Sequence, residues 1–318
     1  MNFKDKEYSI PKITIGCEAL GGVDWGNKDL GQLERVLKHA YELGFNSFDT
    51  ADVYGLGKCE ERLSKIFKKN IKDIFIITKF GVSWQIINSN ERAVTKINLS
   101  TDYLDKALHD SLTRLKIDSI PLYLVHWPNN NFPIEPVLNQ LQKHKKSGKI
   151  INYGISNFTF NDITNANLKN VDAVCNSYSL INKSNQKFLT NAREMKIKSF
   201  VYGTLEQGLL SGSYDSKTKF SSNDRRSRLK EFQNLSNNNK IKLIKGIRDI
   251  AEKNSVSMSQ LVFLWTRKQC ISDSIIVGFS NSKQLDSLKD AQKIKLPNND
   301  IEKLNLISKN YLSKSNSK

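Results

Sequence analysis

Four residues able to move or steer a proton stand at or just beyond the ends of short apolar runs. They are Asp49 and Tyr54 in FDTADVYG, Lys79 in ITKFG and His126 in LVHWP. A free tyrosine titrates near ~10, so a phenol asked to donate a proton near neutral pH needs help. An ammonium close by favours the phenolate and lowers that value. A carboxylate can fix the ammonium in place, and a histidine near the reacting oxygen can orient a carbonyl or share the proton. Asp49, Tyr54, Lys79 and His126 therefore suit reversible proton transfer at a carbonyl or alcohol oxygen. Taken singly, each has an ordinary reading. A lone lysine is a solvated surface group, a lone histidine a structural one, Asp49 before Thr50 a helix cap, and Tyr54-Gly55 loop packing. Their recurrence at successive strand ends argues for a site.

The elements that must position them alternate. The sequence predicts strands at Ile13–Leu20, Phe45–Thr50, Ile74–Phe80, Leu122–Trp127, Ile151–Ser156, Ala173–Tyr178, Ser199–Leu205 and Ser274–Phe279. Several are apolar on both faces, as in strands covered by helices. Helical periodicity marks Gln32–Leu43, which Gly44 then stops. Leu99–Leu115 follows the same pattern, with Ser100-Thr101-Asp102 as its start. Further helices are expected at Pro136–His144, Lys240–Glu252 and Ser257–Trp265. Such regular alternation predicts a parallel α/β sheet. Eight units in 318 residues fit a single-domain (β/α)8 TIM barrel over residues 1–312, with a polar tail at 313–318. No GxGxxG follows the first strand, which argues against a Rossmann domain. In a barrel, function gathers at the C-terminal ends of the strands, where Ser156 and Asn157 of GISNF join the four residues above. The polar stretch Gly208–Asn239 reads as an excursion over one barrel face.

Composition narrows the function classes. The formal net charge is +17, which allows a nucleic-acid partner, an anionic cofactor or substrate, or a lysine-rich surface with no specific role. The basic residues are dispersed apart from Arg225, Arg226 and Arg228, and no nucleic-acid-binding motif accompanies them. No nucleic-acid partner is expected. The four cysteines are far apart, so neither a disulfide framework nor a metal site is expected. The charged start MNFKDKEYSIP is unlike a signal peptide, and no apolar run is long enough to span a bilayer. A cytoplasmic, reduced protein with no membrane partner is expected.

Several separated motifs over roughly residues 10–290 resemble the aldo-keto reductase family: FDTADVYG, ITKFG, LYLVHWP, YGISNF, VYGTLEQGLLSG with FSSNDRRSRLKEF, and SMSQLVFLWTRKQCISDSIIVGFSNSKQL. The resemblance implies an NAD(P)H-dependent oxidoreductase that reduces an aldehyde or ketone, or a sugar carbonyl, or runs the reverse reaction. Tyr54 would be the general acid and base, Lys79 and Asp49 would tune it, and His126 would orient the carbonyl. Ser156 and Asn157 would hold the nicotinamide carboxamide, with Cys175 beside them. Tyr202 would stack on the nicotinamide ring. Gly203, Thr204, Leu205 and Gly208 would follow the pyrophosphate, and Gly278, Ser280, Lys283 and Gln284 the adenosine end. Trp25, Trp84 and Trp127, in the loops after the first, third and fourth strands, would wall the substrate pocket. NADP(H) is favoured over NAD(H), with no metal. The chain departs from the family pattern where a glutamine is usual (Cys175), where Ser-Pro is usual (Gly203-Thr204), where Glu-Asn is usual (Ser287-Leu288) and where an arginine often stands (Gln284). Lys283 or Arg225–Arg228 would then supply the missing positive charge. Arg225–Arg228 also hints at an anionic substrate. A catalytically weak, cofactor-binding regulatory barrel is the alternative.

Overall fold

The computed structural model describes residue 3, residues 10–86 and residues 93–315. Short β-branched and aromatic runs form the strands: β1 (Ile13–Gly16), β2 (Ser47–Asp49), β3 (Phe75–Phe80), β4 (Val82–Gln85), β5 (Val94–Ile97), β6 (Ile120–Val125), β7 (Ile150–Ser156), β8 (Ala173–Ser177), β9 (Lys198–Tyr202) and β10 (Ser274–Gly278). Eight of them close into a barrel in the order β1-β10-β9-β8-β7-β6-β3-β2, and every pairing around it is parallel. β4 and β5 pair antiparallel as a hairpin outside the barrel.

The residues facing inward fill the barrel rather than leaving a pore. Phe75, Ile77, Leu122, Leu124, Ala173, Cys175, Phe200 and Ile276 form this inner cluster. Phe3 packs against Phe75 and Phe200, with ring centroids 5.8 and 6.3 Å away. A layer of hydroxyls lies among them: Thr14 Oγ1 bonds Ser47 Oγ at 2.8 Å and Ser274 Oγ at 2.9 Å. The larger core lies between strands and helices and includes Leu37, Phe48, Leu63, Leu104, Leu141 and Trp265.

The helix starts carry their own chemistry. The Ser100 hydroxyl accepts from Tyr103 N, Asp29 accepts from Gln32 N, and Ser257 with Gln260 forms a reciprocal capping box. Gly44 takes a positive φ of 85° just beyond the Leu30–Glu42 helix, as its sequence position predicts. The expected helices are found at Leu30–Glu42, Thr101–Leu115, Ile134–Lys146, Asn238–Lys253 and Met258–Lys268. The last helix, Asn298–Ser315, runs into the stretch expected as a polar tail.

Two expectations need correction. The first strand ends at Gly16, not Leu20, because Glu18–Gly21 coils into a 3-10 turn. The stretch after β3, expected as a plain loop bearing Trp84, is the β4–β5 hairpin. The excursion after β9 is present as a strap from Gly208 to Asn239. It carries a small core of its own, in which the Tyr214, Phe220 and Phe232 rings meet edge to face at 5.1–5.6 Å.

Candidate active site

Parallel closure places the C-terminal end of every barrel strand on one rim. Asp49 ends β2, Lys79 is the penultimate residue of β3, His126 follows β6, Ser156 ends β7 and Tyr202 ends β9. Tyr54 stands in the turn between β2 and the next helix, Lys58–Phe67. That turn presses on the loop after β1: a side chain at Gly55 would place its Cβ 2.2 Å from the Gly21 carbonyl oxygen, and Gly55 has φ of +59°. Only glycine fits both demands.

Lys79 Nζ donates to Asp49 Oδ2 at 2.6 Å and to the Thr50 carbonyl oxygen at 2.7 Å, and both side chains of the pair are buried. The ammonium lies 5.2 Å from the centroid of the Tyr54 ring, and the His126 ring stands edge-on to Tyr54 at 5.8 Å. The four residues singled out by type and spacing therefore share one small volume.

The electrostatics differ from the expectation. The Tyr54 phenol is pushed well above its ordinary pKa, first by burial and then by the negative charges of Glu18 and Asp49. A depressed phenol pKa was expected from the lysine. Asp49, bonded directly to Lys79, offsets that ammonium, and desolvation of the phenolate outweighs what remains. Burial also raises the Asp49 carboxyl, although Lys79 opposes it. His126 is held well below its usual value by burial and then by Lys79, so the ring is neutral. Its Nδ1 is buried with no hydrogen-bond partner among the described residues.

Beside this group, Asn157 (φ 66°) donates from Nδ2 to the His126 carbonyl oxygen at 2.9 Å and to Ser156 Oγ at 3.2 Å, and it accepts from the Tyr202 hydroxyl. Ser156, Asn157 and Tyr202 thus form one linked polar set. Cys175 is fully buried in the barrel lining, and its thiol is pushed up to about 12, chiefly by burial. Asn176 turns outward and donates to the Phe158 carbonyl oxygen at 2.8 Å, so it does not replace the missing amide. After β9 the backbone takes positive φ at Gly203, Glu206, Gln207 and Gly208, a run of turns able to present N–H groups to an anion. A Cβ at Gly278 would meet nothing within 4 Å, which leaves the chain open to a ligand there. Gln284 folds back to accept from Ser280 N at 2.6 Å, and Lys283 is exposed. Leu288 is buried in the core, so it faces away from any adenine. This linked polar set, the turn and the open glycine fit a nicotinamide dinucleotide, with a weaker complement at its adenosine end.

The tryptophans separate. Trp127 is largely exposed and stacks beside His126, with centroids 6.3 Å apart. Trp84 is half-buried on the β4–β5 hairpin. Trp25 lies under the strap, with the Arg225 and Arg226 guanidinium carbons 4.9 and 5.7 Å from its ring. The basic run is not an open anion site. Arg225 pairs with Glu18 at 2.5 Å, Arg226 with Asp224 at 2.5 Å and Arg228 with Asp24 at 2.8 Å. Those carboxylates answer the charge that hinted at an anionic substrate. Glu18 is the rim residue that reading the sequence missed. It lies just past β1, where the rule of looking at strand ends would have found it had the first strand been given its true end.

The sequence profile of the Aldo/keto reductase family matches residues 12–309. The chain is 31% identical to "Aldo-keto reductase yakc [NADP(+)]" of Schizosaccharomyces pombe, covering 93% of this chain and 88% of that protein. It is 27% identical to "Aldo-keto reductase YhdN" of Bacillus subtilis, covering 97% and 93%. Among solved structures, the glycerol dehydrogenase AKR11B4 from Gluconobacter oxydans superposes with a TM-score of 0.84 at 25% identity, covering 96% of this chain and 94% of that one. The holo form of aldo-keto reductase AKR11C1 from Bacillus halodurans shares the fold, with a TM-score of 0.76 at 21% identity. With a family profile running through nearly every barrel unit and relatives aligned along almost their whole length, the chain belongs to the aldo/keto reductase family of oxidoreductases.

Proposed function

We propose that this chain is an NADPH-dependent carbonyl reductase in which Tyr54 gives its proton to the carbonyl oxygen, and takes it back when the reaction runs as alcohol oxidation. The observation that carries this reading is the convergence of the buried Lys79–Asp49 pair and the neutral His126 on the Tyr54 ring. The nicotinamide supplies or accepts the hydride when bound. The remaining tasks fall to the chain's own groups. The high phenol pKa keeps Tyr54 protonated across the neutral range, ready to act as an acid. Lys79, 5.2 Å from the ring, favours the phenolate left behind. His126 donates to the carbonyl oxygen from Nε2, the ring nitrogen other than the buried Nδ1.

Ser156 and Asn157 hold the carboxamide, and Tyr202 stacks on the ring. Gly203, Thr204, Leu205 and Gly208 follow the pyrophosphate. Gly278, Ser280, Lys283 and Gln284 meet the adenosine end, with Cys175 lining the barrel beneath. NADPH is preferred over NADH, in keeping with the NADP(+) in the name of the fission-yeast relative. Trp127 and Trp84 wall the substrate side, and Trp25 supports it from beneath the strap. With the strap arginines already paired, the site suits an uncharged carbonyl substrate, such as an aldehyde or a sugar. Residues 1–312 act as one catalytic unit.

Tyr54→Phe tests the reading against a panel of aldehydes and sugars with NADPH. Turnover should fall by about 10²–10⁴-fold while NADPH binding is kept. Unchanged turnover would overturn the role of Tyr54, and binding without turnover in the unaltered protein would favour a regulatory barrel.

A further inference from the structure

Glu18 and Arg225 form an ion pair at the barrel mouth that none of the proton-transfer roles above uses. Glu18 opens the 3-10 turn after β1, and the end of that turn presses on the Tyr54-Gly55 backbone. Arg225 comes from the far side, on the strap. Its Nη2 reaches Glu18 Oε1 at 2.5 Å, and its guanidinium lies over the Trp25 ring. The strap is fastened to the β1 loop along its edge. Arg225 N donates to the Asp24 carbonyl oxygen at 3.0 Å and Gly26 N to that of Asn223 at 3.3 Å. Asn223 Nδ2 donates to Asn27 Oδ1 at 2.9 Å, and Arg228 reaches Asp24 at 2.8 Å. A guanidinium delivered by one segment is therefore bonded to a carboxylate presented by another, beside the phenol.

We propose that Arg225 is a positioning residue for proton transfer: by closing on Glu18, the strap neutralises a carboxylate at the mouth and so sets how readily Tyr54 releases its proton. The inference rests on the role assigned to Tyr54 above.

The charged and titratable groups around the phenol are Glu18 and Cys17 from the β1 end, Asp49 from β2, Lys79 from β3, His126 beyond β6, Tyr202 from β9 and Arg225 from the strap. Asp49 is bonded to Lys79, His126 is neutral, and burial holds the Cys17 thiol and the Tyr202 phenol well above their ordinary values. Glu18 and Arg225 remain, with Asp24 Oδ2 3.9 Å from the same Arg225 nitrogen, and the first two act on Tyr54 in opposite senses, Glu18 raising its pKa and Arg225 lowering it. Burial raises Glu18 itself, and Arg225 counters that.

The experiment is the pH dependence of kcat/KM for aldehyde reduction with saturating NADPH, carried into the alkaline range where loss of the Tyr54 proton ends activity. Glu18→Gln removes the negative charge and should move the alkaline break down by roughly one pH unit. Arg225→Gln removes the positive charge and should move it up. The double variant should return close to the unaltered protein. Asn223→Ala loosens the same strap by removing its uncharged bond to Asn27 and should leave the break in place. Equal breaks in the two single variants, shifts in the same direction, or no break in Glu18→Gln would overturn the proposal. So would a shift in Asn223→Ala as large as that in Arg225→Gln, which would mean that strap closure and not charge is being read. Tyr54→Phe run alongside separates the two levels: full activity there defeats the role of Tyr54, whereas an inactive Tyr54→Phe with unmoved breaks defeats this inference alone.

Discussion

Asp52, two residues before Tyr54, is buried at 1% exposure, and neither carboxylate oxygen has a side-chain partner among the described residues. The arginine that could have answered it is engaged elsewhere. Arg114 Nε donates at 2.7 Å to Glu60, which also accepts from Thr78 at 2.6 Å. Two buried carboxyls thus face one guanidinium. Burial first and Glu60 second push Asp52 well above its ordinary value, with Arg114 opposing. An acid whose pKa is raised in the folded state contributes fully below its unfolded value and loses that contribution as pH rises. Asp52→Asn should therefore stabilise the fold at neutral and higher pH, by about 1–2 kcal/mol, with the gain fading toward about pH 4. Thermal unfolding of both proteins across that range checks this, and a gain independent of pH would contradict it. The sequence showed that Asp49, Tyr54, Lys79 and His126 belong together, because each follows an apolar run. It did not show the sign of the phenol shift, since desolvation depends on what covers the ring and the Asp49–Lys79 bond depends on register between β2 and β3.

At the scale of elements, the strands were legible because parallel barrel strands are buried on both faces and read as apolar runs. The β4–β5 hairpin was not, since Val94, Thr95 and Lys96 face solvent and carry little apolar pattern. The first strand was overestimated because Cys17, Ala19 and Leu20 are apolar enough to continue it, yet Glu18–Gly21 coils. The turn after β9 holds a further titrating group. Glu206 accepts from the Ser179 hydroxyl and is raised to about 7, mainly by burial, with Glu231 adding to it and the Ser179 bond opposing. Its raised folded value means that its contribution is present in acid and is lost as pH climbs through about 7. The charge then appears in the turn proposed to follow the pyrophosphate. Glu206→Gln should flatten the decline of both the unfolding midpoint and NADPH affinity across the neutral range. The same slopes in the variant and the unaltered protein would remove Glu206 as their source.

For the whole molecule, the net charge of +17 said little about function, because charge counts do not show pairing. The densest basic run, Arg225–Arg228, is answered by Glu18, Asp224 and Asp24 and fastens a strap across the mouth. Asp224 stands beside the run, but Glu18 and Asp24 lie 207 and 204 residues from the arginines they answer, so only the closed fold shows their part of the compensation. Barrel, rim and strap together make one claim: a reductant held along β7, β9 and β10 meets a carbonyl held at Tyr54. The most direct test is to form the complex of the protein with one equivalent of NADPH, confirm binding by quenching of tryptophan fluorescence, add a reactive aldehyde and follow the loss of reduced nicotinamide. The account predicts that the bound NADPH is consumed in the unaltered protein and persists, still bound, in Tyr54→Phe. Failure to bind either NADPH or NADH, or equally fast consumption in both proteins, would contradict it.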